Sequence, residues 1–137
     1  MKVPRGIRNN NPLNIRRGSN WKGLRPEQKD KAFCQFVSMQ YGVRAGFYLL
    51  RRYISGYEGK CNPIDTITKI ISKWAPPSEN KTIAYIRTVS LHSGINENEK
   101  LQFRDRKKMV SIVEAMIIVE CGQSISREII ESAYDML

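Results

Sequence analysis

The chain has 137 residues, with 23 Lys plus Arg against 13 Asp plus Glu and a formal charge of +10. That length suits one domain with one core rather than two, and 41% hydrophobic with 26% charged residues excludes a disordered, collagen-like or coiled-coil chain. The charge points to an anionic partner, with nucleic acid, acidic lipid and cell wall all open.

The first forty residues are punctuated by Asn9-Asn10-Asn11-Pro12, Gly18-Ser19-Asn20, Gly23 and Pro26, which predicts ordered loop with a short strand pair, its better strand over 32–37. Helix is expected from near Gln40, where Val43, Phe47, Leu50 and Ile54 share one face, to the stop Ser55-Gly56-Tyr57-Glu58-Gly59. Asn62-Pro63 reads as a cap and first-turn proline for a helix with Ile64, Ile67, Ile70, Ile71 and Trp74 on its stripe, ended by Pro76-Pro77. Ser78 to Asn80 is the expected cap of the next helix, with Ile83, Ile86 and Val89 inward until His92-Ser93-Gly94. A polar linker follows over 96–104.

The segment Asp105 to Cys121 is the most apolar: 9 of the 11 residues from Met109 to Val119 are apolar, the marks of a helix surrounded by others. Gly122 is its expected stop, and Ser126 the cap of a last helix through Ile129, Ile130, Ala133 and Leu137. The fold class is therefore mainly α, in a single domain over 1–137.

No apolar run stands behind the basic amino terminus, so the chain is expected to be made in the cytoplasm without a signal peptide. Its longest apolar stretch falls short of the ~20 residues that span a bilayer, and no membrane insertion is expected. Cys34, Cys61 and Cys121 are an odd, scattered set that suits a reducing compartment. With one histidine, His92, and no ligand spacing or Gly-rich phosphate loop, neither a metal nor another cofactor is expected.

Glu120 is the informative carboxylate, at the last turn of the most apolar helix. A carboxyl group pressed against apolar packing has its charged form disfavoured, which suits a proton donor; the alternative is a side chain that turns out to water at a helix end. Glu114 lies six residues earlier, about 600° of helical rotation, on another side of the helix. Its expected partners are Arg104, Arg106, Lys107 or Lys108, or solvent.

The blocks Gly6-Ile7-Arg8-Asn9-Asn10-Asn11-Pro12-Leu13-Asn14-Ile15, Trp21-Lys22-Gly23, Tyr41-Gly42-Val43-Arg44-Ala45, Trp74-Ala75-Pro76-Pro77-Ser78 and Glu120-Cys121-Gly122 together resemble phage- and prophage-derived virion structural proteins with a lysozyme-like domain. A more distant similarity is to bacterial cell-wall glucosaminidases and lytic transglycosylases, which carry a catalytic Glu at a helix end, in a Glu-Ser-Gly type motif, ahead of an Asn-Asn-x-Phe-Gly-Ile loop. Here the loop-like block comes first and Glu120 last, so the resemblance implies a circularly permuted order, compatible with termini that meet at the surface. Cys121 stands where the pattern has Ser.

The resemblance implies a peptidoglycan-cleaving enzyme with Glu120 as general acid/base and a glycan groove holding Asn10, Asn11, Asn14, Trp21, Thr82 and Tyr85. It singles out no second carboxylate among Glu27, Asp30 and Asp65. The implied partners are glycan strands and a virion or secretion apparatus, with delivery to the wall by a phage or mobile-element system. Two alternatives remain: a virion or mobile-element structural protein that keeps the fold with little or no activity, and a basic DNA-binding module. Against the last, Arg16-Arg17, Arg51-Arg52 and Arg104 to Lys108 lie on three separate segments, so nucleic acid is the less expected partner.

Overall fold

A computed structural model describes residues 3–75 and 79–137, the side chains of 79 and 80 excepted. The expected Pro76-Pro77 stop and the Ser78–Asn80 cap lie outside the described residues. Within them the fold is mainly helical: α1 (Arg5–Arg8), α2 (Met39–Ile54), α3 (Gly56–Gly59), α4 (Ile67–Trp74), α5 (Glu79–Ser93), α6 (Arg106–Cys121) and α7 (Arg127–Asp135). None of these helices is long and apolar enough to cross a membrane.

The apolar helix is the hub. Met109, Ile112, Val113, Met116 and Ile117 of α6 are buried, and α6 packs against α5, α7, α2 and α1. Asp105 caps its start by accepting from the Lys108 N–H at 3.2 Å. Gly122 ends it in the left-handed region at φ 72°, where a glycine carries no Cβ penalty. In α2 the expected face, Val43, Phe47 and Leu50, is buried, and Ser38 caps it. The stop that follows is the single turn α3, with Tyr57 and Glu58 left-handed.

Several local expectations are corrected by tertiary contacts. The fourth helix starts at Ile67 rather than at Asn62-Pro63, because the Ile64 N–H donates to the Tyr53 carbonyl of α2 at 2.9 Å and the Asp65 carbonyl accepts from Leu101 at 2.7 Å. Its cap is Thr66, whose hydroxyl accepts from the Lys69 N–H at 3.1 Å. In α5 the inward residues are Tyr85, Ile86 and Val89, while Ile83 is 41% exposed, since it sits about 200° around the helix from Tyr85. The stretch 96–104 packs into the fold through buried Leu101. Ser126 occupies the cap position of α7 without a side-chain cap bond.

Among the described residues the amino-terminal segment forms no strand ladder; it holds two isolated antiparallel bridges, Arg16 with Phe33 and Leu24 with Phe36. Side chains add to the few main-chain bonds between these stretches, such as Arg17 N–H to Ala32 and Cys34 N–H to Ile15. Asn11 is fully buried and accepts from the Ile15 N–H while donating to the Ile15 and Cys34 carbonyls, all at 2.9 Å. The Gln28 side chain donates to the Gln35 carbonyl and accepts from the Gln35 N–H, while the Gln35 side chain donates to Asn9 and accepts from the Lys29 N–H.

Candidate functional site

Glu120 stands half-buried on the last turn of α6, and two of the expected residues meet its carboxylate. The Tyr85 hydroxyl, on α5, donates to Oε2 at 2.9 Å. The Asn14 side-chain amide donates to Oε1 at 3.1 Å and to the Glu120 carbonyl at 3.3 Å, across 106 positions of sequence. Each partner is held for this task. Tyr85 is buried by the packing of α5 on α6, and Asn14 has φ 53°, a left-handed conformation that asparagine tolerates better than other side chains.

The electrostatics keep Tyr85 a donor. Burial first, then the neighbouring Glu120 charge and the hydrogen bond to it, push its hydroxyl above the ordinary tyrosine range. The Cys121 thiol is pushed up to about 11 by burial and by Glu120. It therefore remains S–H near neutrality and donates to the Pro12 carbonyl at 3.0 Å. Gly6 lets the loop close on this end of α6: a Cβ there would stand 2.9 Å from both the Cys121 sulfur and the Asn11 carbonyl oxygen, and 3.1 Å from Asn14 Oδ1.

Asn14 also lines a cavity of about 300 Å³, with Arg16, Trp21, Tyr53 and Trp74 among its other walls, whereas Glu120 and Tyr85 are not wall residues. Trp74 meets Tyr53 edge-on at 6.5 Å. Asn14 is thus shared between the Glu120 carboxylate and an aromatic-walled hollow of ligand size.

The other expected residues take different places. Asn11 is spent inside the loop and positions its neighbours rather than facing the cavity. Asn10, also left-handed at φ 53°, donates to the Phe36 carbonyl at 3.1 Å. Trp21 lines the cavity, with its ring edge-on to Tyr48 at 5.5 Å. The Thr82 hydroxyl donates to the Ala75 carbonyl at 3.1 Å, past the end of α4.

Of the other carboxylates, Asp30 is held by Arg5 through two bonds of 2.6 and 2.7 Å, and Asp65 lies 3.6 Å from Lys69. Glu114 bonds Arg127 at 3.1 Å and lies 3.6 Å from His92. That corrects its expected pairing with the residues from Arg104 to Lys108: Arg106 is taken by Asp135 and Glu131, and Lys108 by Glu99. Among the described residues no three His, Cys, Asp or Glu side chains gather to hold a metal.

Over 127 residues the chain is 38% identical to protein P5 of Pseudoalteromonas phage PM2, an alignment spanning 90% of this chain and 74% of P5. The chain belongs to the P5 family. It is accordingly a phage-related protein, as the motif resemblance implied at that coarser level. No family model matches it.

Two features of this P5-family site escape sequence reasoning. Trp74 falls on the apolar stripe of α4 and reads as core, and Tyr53 carries no signal in the sequence; both pack in the core and are also cavity walls. Gly6 offers a signal only in retrospect, since nothing in a lone glycine says which distant side chain approaches it.

Proposed function

We propose that this P5-family protein cleaves the glycan strand of peptidoglycan, in a lysozyme-like domain of circularly permuted order, with Glu120 as general acid and base. The observation that carries the reading is the Glu120 carboxylate gripped by Tyr85 and by Asn14, the second of which also lines an aromatic-walled cavity. The packing of Pro12 and Asn14 on Cys121 and Glu120, more than a hundred positions away, supports a permuted chain order. The loop that follows the glutamate helix in the wall-cleaving enzymes it resembles here precedes that helix and still docks on its end.

The chemistry follows from the donors. Asn14 can only donate through its amide nitrogen, which keeps Oε1 an acceptor, whereas the hydroxyl facing Oε2 can donate or accept. The carboxyl group can therefore gain and lose a proton without losing its anchors. As acid it protonates the glycosidic oxygen and the C1–O bond breaks. As carboxylate it then takes the proton of the sugar 6-hydroxyl, whose oxygen closes on C1 to give an anhydro sugar. Water in place of that hydroxyl gives hydrolysis, and the two products differ by one water in mass.

Turbidity clearing on purified peptidoglycan tests the proposal. Glu120→Gln keeps size and hydrogen bonding but supplies no proton, and is expected to slow clearing about a hundredfold or more. Equal clearing by both proteins removes Glu120 from the mechanism. Clearing by neither selects the other reading that kinship with a phage protein supports, a phage structural component that keeps the fold without the activity.

A further inference from the structure

A second cavity, of about 550 Å³, opens beside the first and shares Ser19, Trp21 and Leu49 with it. Its lining is more strongly cationic: it holds Lys22, Arg44 and Arg52 where the first has Arg16 alone, and neither has a carboxylate. Arg44, Tyr48 and Arg52 fall at i, i+4 and i+8, one face of α2, and α2 contains no Asp or Glu to offset them. Arg44 Nε is buried without a hydrogen-bond partner. Arg52 reaches Glu58 only at 4.0 Å, and that glutamate is 75% exposed, so water largely screens the pair. Arg51, stacked over Tyr48 at 5.5 Å, adds a further positive charge nearby. Three cations around one hollow with no internal counter-charge, one of them with an unmet buried donor, make a site that is complete only when an anion fills it.

We infer that this cationic cavity binds a carboxylate-bearing substituent of the polymer whose sugar backbone lies in the first cavity, namely the peptide stem of peptidoglycan. Guanidinium groups match carboxylates two bonds at a time, and Trp21, as a wall of both cavities, sets the passage from backbone to substituent. The inference rests on the glycan reading of the first cavity.

The test measures binding in a Glu120→Gln background, so that the polymer is not consumed. Binding is followed on two immobilised polymers, intact peptidoglycan freed of secondary polymers and glycan strands whose stems an amidase has removed, the lactyl carboxylate that this hydrolysis uncovers being capped as an amide. The intact polymer is expected to bind about tenfold more tightly, and Lys22→Gln with Arg52→Gln to bring it to the stripped level. The preference should also shrink with added salt. Equal binding to both polymers overturns the inference, as does a preference that survives the double substitution. Stem-independent binding that duplex DNA displaces also overturns it and assigns the cavity to nucleic acid. Stem-dependent binding without clearing by the wild type overturns the enzymatic reading alone and leaves the cavity's ligand standing.

Discussion

The two sides of the Asn14–Glu120 contact come from regions built in opposite ways. Glu120 rides on α6, a helix that is buried because its side chains are apolar. Asn14 sits in a loop that buries polar side chains among apolar ones: Asn9, Asn11 and Gln35 are each under a tenth exposed, beside Leu13, Ile15, Cys34 and Phe36. A segment without a ladder must still satisfy its main-chain N–H and C=O groups, and here amide side chains share that task with scattered main-chain bonds such as Cys34 N–H to Ile15 and Arg17 N–H to Ala32. The loop can then hold one side chain in place as a strand would, while its chain path stays irregular enough to bend around the end of a helix. A site assembled from both regions gets an apolar backing from one and oriented donors from the other.

The comparison breaks if the polar side is decoration. Asn11→Ala leaves the Ile15 N–H and the Cys34 carbonyl without their partner and the Ile15 carbonyl with the Cys34 N–H alone, and is expected to cost about 3 kcal/mol. Ile117→Ala, in the apolar hub, is expected to cost a similar amount, about 3 kcal/mol. Urea unfolding of the two variants measures both. A loss below about 0.5 kcal/mol for Asn11→Ala would mean that the loop is not a rigid platform and that Asn14 is held by Glu120 rather than the reverse.

Much of the helical half is legible from pattern, because the signals there are local. Val43, Phe47 and Leu50 repeat at helical spacing, and Gly122 ends an apolar run. What is illegible depends on partners far away in sequence. Thr66 caps α4 because Ile64 and Asp65 are tied to Tyr53 and Leu101. Ile83 turns outward because Tyr85, with a polar tip, takes the inward position. In the loop, the Asn-rich block marks a turn but does not say which amide is spent internally and which reaches out. Asn11 and Asn14 look alike in sequence, and only the fold gives one to the scaffold and the other to Glu120.

Acid sharpens the contrast between the regions. Hydrogen bonds from Arg5 first, then from Phe33, Asn9 and Ala32, hold the Asp30 carboxyl well below the ordinary range against the opposing effect of its burial. Asp135, on α7, is also lowered, mainly by Arg106. A carboxylate whose folded-state pKa is depressed lends stability that is complete above its unfolded value, about 3.9, and is lost as pH falls toward the folded value. The Asp30 side chain is 7% exposed and that of Asp135 is 55% exposed, so water and salt screen the second pair more strongly. Urea midpoints from pH 5 to pH 2 should show the wild type losing its advantage over Asp30→Asn across that range. The loss against Asp135→Asn should be smaller and should vanish first in salt. Equal, salt-sensitive losses would put Asp30 among the surface charges.

The smallest effect is expected where the two regions touch through sulfur. Cys121 gives its S–H to the buried Pro12 carbonyl at 3.0 Å and stands against Gly6, so the same atom is both donor and packing. A hydroxyl is the stronger donor but is smaller and prefers a shorter bond, near 2.7–2.8 Å. Cys121→Ser should therefore exchange a better hydrogen bond for a slight gap, changing stability by less than about 1 kcal/mol. Cys121→Ala removes the donor and strands the carbonyl, which should cost about 1–2 kcal/mol. Unfolding free energies of the three proteins decide between the roles: alanine worse than serine assigns Cys121 the donor's part that a serine would play in the same place, and the reverse order makes it a packing residue whose sulfur fills the space that Gly6 leaves.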